Sequence, residues 1–199
     1  MTTRNRWSVE WSTPVGRLTV LEPTREEVSA VAAPLVVYYN EPHNQAMMAH
    51  ESMMTPQEVV EHFARVEADH GRPLLLYLDG RLMGDADLRH VDGKKAECAI
   101  MIGDRSQQGK GLGTRFLTMV HALAFGGLGL ECVYCSIIPA NEPSQRLFKR
   151  LGYVRDDSPT ARQYADVPDD LTFSLGRKEF TTAHAAELAD IRVSERPKR

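Results

Sequence analysis

The chain is predicted to fold as a mixed α/β (α+β) domain, with a central, mostly antiparallel sheet of about seven strands flanked by helices. Three observations lead there. Short apolar runs and amphipathic stretches follow one another in the order β-α-α-β-β-β-α-β-α-β. Asp79-Gly80 and Asp92-Gly93 each separate two apolar runs and read as turns between neighbouring antiparallel strands. With 199 residues, 42% hydrophobic and 26% charged, the chain suits one globular domain with a sizeable core.

Residues 16–23 read as the first strand, leaving 1–14 as an N-terminal extension. Thr24 and Glu27 have the spacing of a capping box and open a helix that runs to Tyr39. Residues 41–55, polar with interspersed methionines and histidines, read as a loop or broken helix. Thr55 is then an N-cap and Pro56 a first helical residue; this helix runs to Asp69, and His70-Gly71 closes it. Strands are expected at 73–78, 81–91 and 96–102. The next helix, over 112–125, puts Leu112, Phe116, Val120 and Leu123 on one face, and Gly126-Gly127 ends it. A strand at 132–138 leads to a short helix at 143–151, started by Pro143 and stopped by Gly152. Late strands are expected at 153–154 and 170–175. The domain proper thus spans 15–176, and 177–199 supplies an alanine-rich helix (181–191) and a basic, frayed tail.

The net charge of −3 gives no electrostatic reason to expect a nucleic-acid partner. No apolar run approaches the roughly 20 residues of a membrane span. The first residues, Met1 to Trp7, lack the apolar centre of a signal peptide, so the cytoplasm is the expected location and no membrane partner is expected. Cys98, Cys132 and Cys135 fit no even disulfide framework. Cys132 and Cys135 would face opposite sides of a strand with no second Cys or His cluster nearby, so they read as buried small hydrophobes and no metal is expected.

The most informative stretch is Gly109-Lys110-Gly111-Leu112-Gly113, between an apolar strand and an amphipathic helix. Such a loop can aim several N–H groups at one point, where the helix dipole presents its positive end. It is an anion cradle or, taken alone, a structural turn. It is no P-loop, because Gly111 follows Lys110, and no G-x-G-x-x-G, because the third glycine comes one position early.

A second element, Asn141-x-x-Ser144-x-x-Leu147-Phe148-x-x-x-Gly152-Tyr153, narrows the choice. Together with Gln108-Gly109-Lys110-Gly111-Leu112-Gly113, it resembles the GNAT superfamily of acyl-CoA-dependent N-acyltransferases. The phrase Ala96-Glu97 … Ile102-Gly103-Asp104 is similar to the branch with ribosomal-protein N-terminal and polyamine acetyltransferases. The resemblance covers roughly residues 15–176. It implies acetyl-CoA as cosubstrate, with the pyrophosphate on Gln108, Gly109, Lys110, Gly111, Leu112, Gly113 and Thr114. It also implies pantetheine against the end of the Ile100-Met101-Ile102 strand, where that strand diverges from the Cys135–Ile138 one. Asn141 is then a pantetheine contact or simply a helix cap, and Ser144 and Phe148 complete the cofactor-binding set.

Attack of an amine on a thioester needs a neutral amine, donors for the oxyanion and a proton for the thiolate. The family implies a backbone N–H at Met101–Ile102 as the oxyanion donor. Glu97, on the motif strand, is the first candidate base; pairing with a neighbour is its structural alternative. Asp87 and His90 are reserves, which alternation puts on opposite faces. The chain has Phe148 where members of the family often have a tyrosine acid. Water, another hydroxyl (Tyr134, Ser136 or Ser144) or no acid at all must serve. Ser136 is a candidate catalytic residue on that ground. The acceptor is expected to be an amine on a small molecule or protein, contacted by Tyr39, Glu41 and Asp87. Tyr38, His43, Met47, Met48, Met53 and Met54 shape the acceptor pocket or pack as core. Carboxylates Glu41, Glu51, Glu58, Glu61, Glu67 and Asp69 line a cleft for a cationic acceptor or form a solvated helix face. Phe148 leaves open a CoA-binding module without turnover, and residues near Ile102 and Ser136 leave open a larger donor such as succinyl-CoA. The expected state is monomer or homodimer.

Overall fold

The computed structural model describes residues 5–48 and 52–197. Within them, one nine-stranded sheet carries the fold, in the order β7-β8-β6-β5-β4-β3-β2-β1-β9. The strands are β1 (Trp7–Thr13), β2 (Gly16–Leu21), β3 (Arg72–Leu78), β4 (Arg81–Asp92), β5 (Lys95–Ile102), β6 (Cys132–Ile137), β7 (Val154–Arg155), β8 (Leu171–Gly176) and β9 (Arg192–Glu195). All neighbours pair antiparallel except β5 and β6.

Helices α1 (Arg25–Tyr39) and α3 (Pro56–Ala68) cover one face, burying Val28, Leu35, Val59 and Phe63 against Leu75 and Leu82. Both start with complete capping boxes, Thr24/Glu27 and Thr55/Glu58, which satisfy N–H groups the first turn would leave open. Between them lies α2 (Pro42–Met47), a single short helix whose one buried residue is polar Asn44. The other face carries α4 (Leu112–Ala122), which continues into a π turn at Leu123–Gly127, and α5 (Glu142–Leu151). Leu112, Phe116, Val120 and Leu123 are buried there as their spacing predicts. His121 links these layers: its Nδ1 donates to Leu117 O (2.8 Å), which leaves Nε2 to accept from the Tyr153 hydroxyl (2.6 Å). Burial lowers its pKa to about 4, so the imidazole is neutral at pH 7.

The two strands beyond the expected seven come from the chain ends. Residues 7–13, expected as part of an extension, form β1, whose Val9 is fully buried between the flanking half-buried tryptophans Trp7 and Trp11. The tail expected to fray forms β9 on β1, held by Arg192 to Glu10 (2.9 Å) and Arg196 to Glu27 (2.8 Å). The single C-terminal helix expected is two, α7 (Arg177–Ala183) and α8 (Ala185–Asp190), broken at His184. A further short helix, α6 (Pro159–Arg162), precedes β8. Among the described residues no helix is long and apolar enough to cross a membrane.

One contact sets how closely β4 and β5 approach at the site. Gly84 has φ +154°, and a Cβ there would lie 1.9 Å from Met101 O. Gly84→Ala is expected to cost roughly 2–4 kcal/mol from overpacking and strain. Gly126, which has no atom within 4 Å of a built Cβ, is the control: Gly126→Ala should stay near wild type. Urea midpoints at constant slope check both.

Candidate active site

The site begins where two strands part. β5 and β6 pair in parallel only from Lys95–Cys132 to Glu97–Tyr134. Beyond that, Cys98–Ile102 stays on β4 while Ser136 and Ile137 stay on β8. Gly103 N–H donates to Met83 O (2.8 Å). By antiparallel alternation, Ala99 and Met101 then give their backbone groups to β4, while the N–H groups of Ile100 and Ile102 face the gap. The oxyanion donor expected at Met101–Ile102 is therefore available from Ile102 and Ile100, not from Met101. Ile102 O is already occupied by Gln108 Nε2 (2.7 Å).

Two cavities open into this gap and share Met47, Met48, Ile100, Met101, Asn141 and Ser144. The first, about 320 Å³, is lined by Gln108, Gly109, Gly111, Gly113 and Thr114, with His43, Arg146 and Arg150. Gly109 and Gly111 adopt φ +72° and +78°, the left-handed region that glycine enters without strain. Gly111 is the N-cap of α4 and offers no side-chain cap, so the first-turn N–H groups of Leu112, Gly113 and Thr114 have no helical partner. Thr114 Oγ1 is buried without a hydrogen bond. Gly113 packs on Leu147 of α5, where a Cβ would come within 3.3 Å of Cδ2. This cavity presents N–H donors and cations, the donor set that an anion requires.

The second cavity, about 410 Å³, has the opposite character. Asp85, Asp87, Asp166 and Asp170 line it, together with Tyr39, His62, Arg89 and Ser136. Tyr39 donates to Asp85 Oδ2 at 2.5 Å, and His62 Nε2 lies 3.5 Å from Asp87 Oδ2. Burial, then the charge of Asp87, raises the Asp85 pKa to about 7. The Asp87 partnership raises that of His62, against the effect of burial. The second oxygens of Asp85, Asp87 and Asp170 accept no hydrogen bond. Arg89 is the one arginine or lysine lining this cavity, and it is consumed by Glu97 (2.9 and 2.8 Å) and Asp166 (2.8 Å).

Of the residues expected to contact the acceptor, Tyr39 and Asp87 line the second cavity and Glu41 does not. Glu41 caps α2 by accepting from Asn44 N–H (2.9 Å). Glu97 lies on β5 as expected, but where β5 and β6 are still paired, 1% exposed beneath Arg89, and it lines neither cavity. His90 sits in a bulge at φ +50°, 3.6 Å from Glu97. Ser136, which lines the second cavity, donates to Asp170 Oδ2 (2.7 Å) and accepts from Asp166 N–H (3.2 Å). Tyr134 stacks on Tyr164 away from the gap. Phe148 is buried edge-on to Tyr153, and Ser144 is the one hydroxyl lining both cavities. Asn141 caps α5 through Ser144 N–H (3.0 Å) and also donates to Met47 O (2.8 Å), tying α5 to α2 across the gap. Lys110 and Leu112 line neither cavity with their side chains.

The carboxylates of 41–70 are not the acid wall. Glu58 caps α3, and Glu67 pairs with Arg6 at 2.8 Å. Glu51 lies outside the described residues. Asp85, Asp166 and Asp170 line the second cavity without having been expected at the site; alternation with Asp87 along an otherwise apolar β4 is the sequence signal for Asp85. Tyr38 packs on Gly103, Met54 joins the α1/α3 core and Met53 is exposed. Cys135 is buried in the core and Cys132 half-buried. No group of three or more His, Cys, Asp or Glu placed to hold a metal occurs among the described residues.

Comparison with known proteins agrees with this geometry. RimJ of Mycobacterium smegmatis, in complex with CoA-disulfide, has the same fold: TM-score 0.68 and 16% identity, over 89% of this chain and 94% of that one. For the aminoglycoside acetyltransferase AAC(6')-Ib in complex with coenzyme A the values are 0.70 and 19%, over 84% and 99%. For a chimera of Vibrio cholerae spermidine N-acetyltransferase SpeG and hSSAT they are 0.64 and 17%, over 82% and 97%. No curated protein sequence matches the chain. The family profile for the acetyltransferase (GNAT) domain matches residues 17–154. Parted strands, a glycine cradle at a helix start and a family match over more than half its length make this chain a member of the GNAT family of acyl-CoA-dependent N-acetyltransferases.

Proposed function

We propose that the enzyme moves an acetyl group from acetyl-CoA to a cationic primary amine, with Asp85 taking the ammonium proton. The observation that carries this reading is the opposite charge of the two ends of one cleft. The cationic end suits CoA: free N–H groups of α4 with Arg146 and Arg150 suit its phosphates, and the open edge of β5 suits an extended chain with amides. The unpartnered Thr114 Oγ1 in that cradle is a further polar group for the ligand. The solved structures with CoA bound to RimJ and AAC(6')-Ib support the same assignment.

CoA supplies an acyl thioester, whose thiolate is a good leaving group. Asp85 and Asp87 draw the ammonium to the gap. With a pKa of about 7, Asp85 is a stronger base than an ordinary carboxylate. Taking a proton from an amine of pKa near 10.4 costs it about 5 kcal/mol, against about 9 for an unperturbed aspartate. The N–H groups of Ile102 and Ile100 are the donors for the carbonyl oxygen, at about 3–4 kcal/mol for one well-placed donor. Phe148 supplies no proton; a thiolate with a pKa near 8.5 leaves without one. Arg89, already paired with two carboxylates, and four aspartates disfavour an acyl group with its own carboxylate, which favours acetyl over succinyl. A second reading, CoA binding without turnover, rests on Phe148. Tight acetyl-CoA binding with no thiol release from any amine would establish it.

On the proposed reading, kcat/KM rises with pH through about 7 as Asp85 ionises. Asp85→Asn should lower kcat about 10²-fold or more, remove that limb and leave acetyl-CoA affinity within a few-fold. Glu97→Gln should retain the limb; its loss there would return the base to Glu97. The same shift has a stability consequence. The folded state binds the Asp85 proton more tightly than the unfolded chain, so the cost of ionising it is absent at pH below about 4 and complete above about 7. Asp85→Asn should therefore stabilise the protein by roughly 1–3 kcal/mol at pH 8 and by little at pH 4, measured by urea unfolding. For the donor, Gly111→Ala, which strains a left-handed residue, should weaken acetyl-CoA binding about tenfold by calorimetry.

A further inference from the structure

The acid cavity has two walls, and the mechanism uses only one. Asp85 and Asp87 stand on β4; Asp170 stands at the head of β8, across the gap between β5 and β6. Asp170 is 3% exposed. Its Oδ2 accepts from Ser136, its Oδ1 accepts nothing, and no cation lies within ion-pair distance of it among the described residues. Arg162, whose guanidinium approaches, donates to the backbone carbonyls of Asp170 (2.6 Å) and Pro168 instead. Arg89 is held by Glu97 and Asp166.

A buried carboxylate with one donor and no counter-charge is costly, because desolvation is repaid only when its remaining lone pairs and charge find partners. The carboxylate is nonetheless fixed in place. Asp170 N–H donates to Val167 O (3.1 Å), Ser136 bridges Asp166 and Asp170, and Arg162 ties down two carbonyls of the same loop. Local bonds fix its position and leave its charge unanswered, which is the form of a preorganised site for a cation.

We infer that Asp170, oriented by Ser136 on the wall opposite Asp85 and Asp87, binds a second ammonium group of the acceptor, so that the acceptor is a diamine or a larger polycationic amine. This rests on the acetyltransfer reading. One nitrogen reacts at Asp85, and the other remains charged and is held at Asp170. An acceptor with a single amine leaves Asp170 unpaired, and one with a carboxylate beside the amine is repelled.

The test is thiol release from acetyl-CoA by the full-length enzyme with straight-chain α,ω-diamines of two to six carbons, each against the monoamine of equal length. The best diamine should exceed its monoamine at least tenfold in kcat/KM, with most of the difference in KM. Asp170→Asn keeps an acceptor for the Ser136 hydroxyl and should narrow that ratio to within threefold by raising the diamine KM. Calorimetric binding of the diamine and monoamine to wild-type enzyme gives the same comparison without a variant, should Asp170→Asn fold poorly. Equal turnover of diamines and monoamines, or a ratio that survives in Asp170→Asn, overturns the second-cation site alone. Release from no amine, with acetyl-CoA bound tightly, overturns the acetyltransfer reading and this inference with it.

Discussion

Parallel pairing of β5 and β6 stops after three registered pairs, and nearly every functional feature follows from that break. Had the ladder continued, Ile100 and Ile102 would have spent their N–H groups on β6 and no gap would exist. The break is sustained from both sides. β4 holds Cys98–Ile102 through a close approach that only a glycine at 84 permits, while β8 holds Ser136 and Ile137. α4 and α5 then fill the wedge beneath, with Gly113 against Leu147 setting how near they come. Unpaired backbone, normally a liability at a strand edge, is tolerated here because the edge borders a cleft rather than open solvent.

The cleft joins two electrostatic environments that would be unstable if superimposed. Donors on the α4 side come from backbone geometry, a helix start with no cap of its own. The carboxylates on the other side come from the side chains of one strand and one loop, and burial raises the proton affinity of Asp85. Arg89 is committed to Glu97 and Asp166, and among the described residues Asp85, Asp87 and Asp170 have no arginine or lysine in an ion pair. Glu97 occupies Arg89, which among the described residues is the arginine lining this cavity.

Elements whose information is local were legible in the chain. Capping boxes at Thr24 and Thr55, the Asn141 cap and the glycine cradle appear where the spacing put them, because each depends on residues three or four apart. β9 was not legible. Arg192-Val-Ser-Glu195 has a single apolar residue, and its strand character comes from β1 and from Arg196 reaching back to Glu27. β1 did carry a signal, the alternation of Trp7, Val9 and Trp11, which a reading anchored on the first continuous apolar run passed over. The acid lining of the second cavity was not legible for another reason. Glu97 lies on the expected strand, but whether a carboxylate is free depends on its cross-strand neighbour Arg89, eight residues away through a bulge. Asp166 and Asp170 reach the site from a loop that no periodicity describes.

The strap over the gap is fastened differently from the rest of the protein. α2 contributes one buried residue, Asn44, which donates to Tyr38 O (2.9 Å) and Gly103 O (3.0 Å) and accepts from Gln108 (2.9 Å); Asn141 donates to Met47 O from the far side. Polar fastenings of this kind exchange for water at a net cost of about 1 kcal/mol each, whereas prising apart packed side chains such as Leu35 and Phe63 forfeits several. Amide hydrogens in α2 belong to the low end of the protein's opening free energies, and those of α1 and α3 to the high end. The segment over the cleft is thus held chiefly by polar contacts that water can replace, while the sheet beneath it is held by packed apolar side chains.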